Sequence, residues 1–143
     1  MTVQDIKQCF RSYMDGVAAS SMRAKGLHYR MIWGISIMHL KEIAEEIKSQ
    51  DSNIPLCDLA QQLWKEDCRE CKILATLLMP CDAMTEQMAY EWLETLPTQE
   101  MSEWLAFNLL RHLPNAKELA QKAVNSNNKL QQYCGQNILK RIG

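Results

Sequence analysis

The stretch LCDLAQQLWKEDCRECKILATLLM, residues 56–79, stands between Pro55 and Pro80 and decides the fold. Leu56, Leu59, Ala60 and Leu63 recur at i, i+3, i+4 and i+7, and Cys71, Leu74, Ala75 and Leu78 do the same. Each set lines one face of an α-helix. The charged residues between them, Lys65 to Glu70, read as a polar connection that turns one helix back on the other. Two antiparallel helices joined in this way form an αα-hairpin. One hairpin cannot bury both apolar faces, so the chain is expected to repeat it.

The flanking sequence supplies the repeats. Toward the N-terminus, Thr2 is placed to cap a helix carrying Ile6, Phe10, Met14 and Val17 on one face, continuing through Gly16 and stopping at Gly26. Leu27 to Ile35 is apolar and aromatic without a period. Ser36 then reads as the N-cap of a helix with Leu40, Ile43, Ala44 and Ile47 inside. Asp51, Ser52, Asn53 and Pro55 mark a break. Toward the C-terminus, Thr85 caps a helix with Met88, Ala89, Trp92 and Leu96, and Thr98 opens one built on Met101, Leu105 and Leu109. Pro114-Asn115 leads into Ala116, Leu119, Ala120 and Ala123, and a last helix carries Leu130, Cys134 and Ile138.

No segment shows the period-2 alternation of a strand. Equivalent rows begin at Leu40, Cys71 and Met101, and their partners at Leu56, Met88 and Ala116. A spacing of about 30 residues with two helices per unit predicts an all-α chain, an α-α superhelix of stacked antiparallel two-helix repeats. Residues 1–143 are expected to form one helical-repeat domain.

Composition narrows the function. The chain is 47% hydrophobic and 23% charged, as ordinary globular proteins are. It holds no apolar run of the roughly 18–20 residues a membrane span needs. Its N-terminus lacks the basic and apolar regions of an export signal, which places it in the cytoplasm and makes its six cysteines reduced thiols. Net charge is −1 but uneven: 11 Asp/Glu against three Lys/Arg in residues 51–110, and one against six in residues 111–143. An acidic middle and a basic end suit either nucleic acid at the basic surface or a protein partner at the acidic one.

Cys68-Arg-Glu-Cys71 invites a zinc or redox reading. Cys57 and Cys81 stand alone rather than as a second close pair, so a Cys₄ site is not expected. Cys71 belongs to an apolar row, and no strand precedes the pair as in thioredoxin-type motifs. His28, His39 and His112 have no metal-ligand spacing. Neither metal nor cofactor is expected. Trp33, Trp64 and Trp92 read as core, whereas Trp104 lies one position off its row and faces outward.

Several pieces together resemble the opening of the DNA alkylation repair (AlkD-like) proteins. They are Met22-Arg-Ala-Lys-Gly-Leu27, Tyr29, Trp33-Gly-Ile-Ser36, Leu40-Lys-Glu-Ile-Ala44, Leu59-Ala60, Leu63-Trp64, Arg69-Glu70, Leu74-Ala75 and Leu78. The order and spacing hold from about residue 10 to about residue 126. The resemblance implies stacked HEAT-like repeats that hold duplex DNA against a basic concave wall. In that family some members release N3- and N7-alkylated purines. An alkylated purine already carries positive charge, so the chemistry asks for a carboxylate and aromatic faces near the sugar rather than a metal.

Residue by residue, the resemblance places Glu103, in Gln99-Glu-Met-Ser-Glu103, where the family's catalytic carboxylate stands. Gln99 replaces an aromatic residue, Lys25 falls near a stacking tyrosine, and Met38 stands for a proline. A further repeat that supplies a second aromatic wall in the family is not expected within these residues. DNA contacts are expected from Arg23, Lys25, Tyr29, Arg30, Trp104, Arg111, Lys129, Lys140 and Arg141, with Lys117 and Lys122 nearby. The alternative is a non-catalytic helical-repeat scaffold for a protein partner.

Overall fold

A computed structural model describes residues 2–50 and 54–142. The expected break at Asp51, Ser52 and Asn53 lies outside the described residues. Helix is the dominant structure, and no strand longer than a single bridged pair, Met31 with Cys68, occurs among the described residues. The chain divides into two compact units, residues 1–78 and 79–143.

In the first unit, α1 (Val3–Phe10) opens on Thr2, whose hydroxyl accepts the Asp5 N–H while the Asp5 carboxylate accepts the Thr2 N–H. This reciprocal pair satisfies two of the donors every helix start leaves unpaired. The expectation of one helix running on through Gly16 is corrected. Helix α1 ends at Phe10, and α2 (Gly16–Ala24) begins on a cap of its own. Asp15 makes the break: its carboxylate accepts the Ala18 N–H at 3.0 Å, and its own N–H donates to Trp33 O at 2.9 Å. The turn takes Met14 and Val17 off the buried face of Ile6 and Phe10, leaving them 58% and 83% exposed. Gly26, at φ 99°, follows α2 as its stop.

Helix α3 (Ile37–Ser49) starts where Ser36 accepts the His39 N–H and buries the expected row of Leu40, Ile43, Ala44 and Ile47. Helices α4 (Leu56–Trp64) and α5 (Arg69–Leu78) make the predicted hairpin, and α5 packs against both α3 and α4. Arg69 and Glu70 correct the sequence reading. They are the first turn of α5 rather than a solvated connection, and both are buried. Every residue from Arg69 to Thr76 is buried, which makes α5 the central helix of its unit.

The second unit contains α6 (Glu86–Glu94), α7 (Gln99–Asn108), α8 (Ala116–Val124) and α9 (Lys129–Ile142). Thr85 and Thr98 cap α6 and α7 through the N–H groups of Met88 and Met101. Helix α9 packs against both α7 and α8, as α5 does against α3 and α4. The α8–α9 approach depends on Gly135: a Cβ there would stand 2.6 Å from Ala120 O and 3.0 Å from Ala123 Cβ. Ser102 Oγ lies 3.1 Å from Leu130 O and ties α7 to the start of α9. Cys134 and Ile138 are fully buried, and Leu130 only partly. No helix is long and apolar enough to cross a membrane among the described residues.

Candidate nucleic-acid interface

Helix α7 turns Met101, Leu105 and Leu109 inward, so positions 103, 104 and 107 fall together on another side. Glu103, Trp104 and Phe107 line a cavity of about 180 Å³ there, together with Arg141 from the last turn of α9. The α7–α9 crossing brings them together. Tyr133, two turns before Arg141, donates its hydroxyl to Glu103 Oε1 and so fixes the carboxylate. Two guanidinium groups lie over the Phe107 ring, Arg111 at 4.3 Å and Arg141 at 5.2 Å from its centroid. Arg111 is positioned further by its Nε–H, which donates to Phe107 O at 2.6 Å. The Trp104 indole N–H is buried without an acceptor.

The arrangement combines a fixed carboxylate, two aromatic rings and two guanidinium groups. A carboxylate held in this way can stabilise positive charge developing beside it. Guanidinium groups over a ring keep several donors outward for an anion.

The other predicted residues are not among those that line this cavity. Lys129 begins α9 and Lys140 lies in its last turn, both exposed, 11 residues and about 16 Å apart along the helix. Lys117 and Lys122 are exposed on α8. Lys122 sits 3.5 Å from Glu86 and over the Tyr90 ring, and the Tyr90 hydroxyl, then Glu86, hold its amine above the usual lysine range.

In the first unit, Lys25 is exposed at the end of α2. Arg23, an exposed residue, folds back along the loop and donates to Tyr29 O at 2.9 Å and Arg30 O at 3.4 Å. Tyr29 is only 4% exposed and belongs to the core. Arg30 is exposed and lines a cavity of about 630 Å³ with Lys7, Met31, Trp33, Lys65 and Cys68. Lys7 is paired with Glu66 at 2.8 Å, which raises its amine above the usual range.

Sequence reasoning had singled out Glu103, Trp104, Arg111 and Arg141 but missed Phe107 and Tyr133. Phe107 could have been found as the i+4 neighbour of Glu103. Tyr133 had no local signal, because its link to Glu103 spans 30 positions. Among the described residues no group of three His, Cys, Asp or Glu side chains could hold a metal ion.

A solved structure described as "A new family of proteins related to the HEAT-like repeat DNA glycosylases with affinity for branched DNA structures" matches with a TM-score of 0.86 at 19% identity. The match covers 99% of this chain and 57% of that one, so this chain spans little more than half its length. The likeness shows the fold to be a HEAT-like helical repeat, as the resemblance implied, built of the stacked two-helix units that the sequence spacing predicted. No curated protein matches the sequence. The family model "DNA alkylation repair enzyme" matches residues 6–139. A match over nearly the whole chain, with the fold to agree, makes this protein a member of the DNA alkylation repair enzyme family.

Proposed function

We propose that this chain is a cytoplasmic DNA-binding protein that holds duplex DNA against the α7–α9 cavity and releases N3- or N7-alkylated purines from it. One observation carries the reading: Glu103, Trp104, Phe107 and Arg141 line a single cavity. Such a purine is a cationic leaving group, and bond cleavage moves positive charge onto the deoxyribose. The Glu103 carboxylate supports that charge, and the aromatic rings of Trp104 and Phe107 supply faces for the sugar. The step calls on no metal or cofactor.

Arg111 and Arg141 take phosphates, with Lys140, Lys129, Lys117 and Lys122 extending the contact. Lys25 and Arg30, exposed in the first unit, offer further positive charge for phosphates there. Arg23 supports Arg30 through the backbone instead of meeting phosphate itself. Tyr29, being buried, drops out of the contact set. The affinity for branched DNA stated for the structural relative makes a branched duplex the first probe to compare with a linear one.

Binding to labelled duplex across a salt series tests the reading, with release of 7-methylguanine from methylated DNA as the second arm. Salt-sensitive binding with release that disappears in Glu103→Gln supports it. Binding without release from a folded sample reduces it to DNA binding alone. A second reading, a scaffold for a protein partner, draws on Met14, Val17 and Met38, which are 58%, 83% and 70% exposed in the first unit. Binding with no salt slope would favour that scaffold.

A further inference from the structure

Cys68 and Cys71 bracket Arg69 and Glu70, and the proposed DNA chemistry uses neither thiol. Cys68 occupies the N-cap position of α5, a helix of 10 residues. Its Sγ accepts the Cys71 N–H at 3.4 Å and its carbonyl accepts the Lys72 N–H at 3.2 Å. The backbone around it is pinned by an extended neighbour that the sequence did not reveal. Met31 N–H donates to Asp67 O at 3.1 Å, and Arg69 N–H donates to Met31 O at 3.3 Å. Cys68 also forms part of the wall of the 630 Å³ cavity, whereas Cys71 is fully buried. Cys68 is itself only 3% exposed but borders the cavity, and its partner lies three residues on in the same chain.

The walls of that cavity carry Lys7, Arg30 and Lys65 against Glu66 and Asp67, and Lys7 already neutralises Glu66. The balance favours an anionic visitor. The two thiols are also unlike in acidity. Their mutual hydrogen bond holds Cys68 below the usual thiol range, and the same bond with burial holds Cys71 above it.

We propose that Cys68 and Cys71 form a dithiol site that reacts with an anionic low-molecular-weight disulfide, Cys68 attacking and Cys71 resolving. The Cys68 thiolate attacks one sulfur of the reagent, forming a mixed disulfide and expelling the other half as a thiolate that takes a proton from water. Cys71 sulfur then attacks Cys68 Sγ as its S–H bond breaks, and the second half leaves as a thiolate that takes up the Cys71 proton. Two protein thiols are oxidised to one disulfide, and one reagent disulfide is reduced to two thiols. The new bond closes over Arg69 and Glu70, the residues that hold the 33–35 backbone.

The test uses the full chain, fully reduced, incubated with glutathione disulfide at neutral pH, quenched with acid and mapped by mass spectrometry after digestion. A Cys68–Cys71 link in the parent and a glutathione adduct on Cys68 in Cys71→Ser are the expected results. Cys68 should also be alkylated at least about tenfold faster than Cys134, whose thiol burial pushes up to about 12. Adducts on the half-buried Cys9, Cys57 or Cys81, with Cys68 and Cys71 both still free, would overturn the proposal. Should Cys71→Ser fail to fold, the presence or absence of the linked peptide in the parent chain decides.

Discussion

The Glu70 carboxylate accepts the backbone N–H of Gly34 at 3.1 Å, across 36 positions of chain, and is fully buried where it does so. It also accepts from Trp33 N at 2.9 Å and Ile35 N at 3.4 Å, while Arg69 reaches it at 2.9 Å and donates to Ile35 O at 3.2 Å. An irregular segment has no ladder to satisfy its amides, and buried amides must find acceptors. One helix-borne ion pair does this for three consecutive residues. Glu70→Gln breaks the buried ion pair with Arg69 and weakens the acceptor of three backbone N–H groups, which costs about 3–5 kcal/mol. Glu45→Gln, in the exposed pair with Lys48, should cost less than about 0.5 kcal/mol. Urea unfolding compares them; equal midpoints would mean that the 33–35 backbone does not depend on Glu70.

Gly34 is held twice over. Its φ is 77°, and a Cβ would stand 2.2 Å from Asp15 O and 2.9 Å from Ala19 N. Both are backbone atoms of the α2 cap, so neither can swing away. Gly34→Ala should cost at least about 3 kcal/mol, since steric overlap adds to the backbone strain. Gly26 has φ 99° but open space around it, so Gly26→Ala carries the strain alone, about 1–2 kcal/mol. Thermal unfolding should rank parent, Gly26→Ala, Gly34→Ala in falling stability.

What the sequence made legible was what repeats locally. The row Leu40, Ile43, Ala44, Ile47 and the caps at Thr2, Ser36, Thr85 and Thr98 depend on residues within a turn or two of each other. Asp15 was overlooked because a Gly at the next position reads equally well as a weak helix interior. Arg69 and Glu70 were misread for a different reason. Charge is ordinarily solvated, and only acceptors and donors 34–37 positions away make burial tolerable here. The candidate site shows the same limit: Glu103 and Trp104 could be singled out, but the α7–α9 crossing that adds Tyr133 and Arg141 is tertiary.

Two lysines should bend the alkaline limb of stability in opposite directions. Burial, ahead of any neighbouring charge, lowers the Lys72 amine below the usual 10.5, although it donates to Trp64 O and lies over the Trp64 ring. Between its folded value and 10.5 the unfolded chain binds more protons, so stability from this group rises with pH. Lys7 is raised by Glu66, so its contribution is present below 10.5 and is lost as pH climbs through its folded value. Lys72→Met should therefore flatten a rise approaching pH 10.5, and Lys7→Met should remove a fall above it. Urea titrations at stepped alkaline pH read both slopes, and matching slopes in the two variants would refute the assignment.

On the proposed chemistry, the bond from Tyr133 to Glu103 should separate purine release from DNA attachment at the α7–α9 cavity. Tyr133→Phe removes a hydroxyl and keeps the ring, so the Glu103 carboxylate loses its fixed orientation but not its charge. Release of 7-methylguanine should fall about tenfold in Tyr133→Phe, against complete loss in Glu103→Gln, because misplacing a catalytic group costs less than removing it. Duplex affinity should fall in neither, since Tyr133→Phe alters no charge and Glu103→Gln removes a negative one. Arg141→Ala should do the reverse, lowering the slope of log affinity against log salt by about 0.9 for one lost phosphate contact. Tyr133→Phe that weakened DNA binding as much as Arg141→Ala would show the bond to be part of the binding surface and would remove Glu103 from the chemistry.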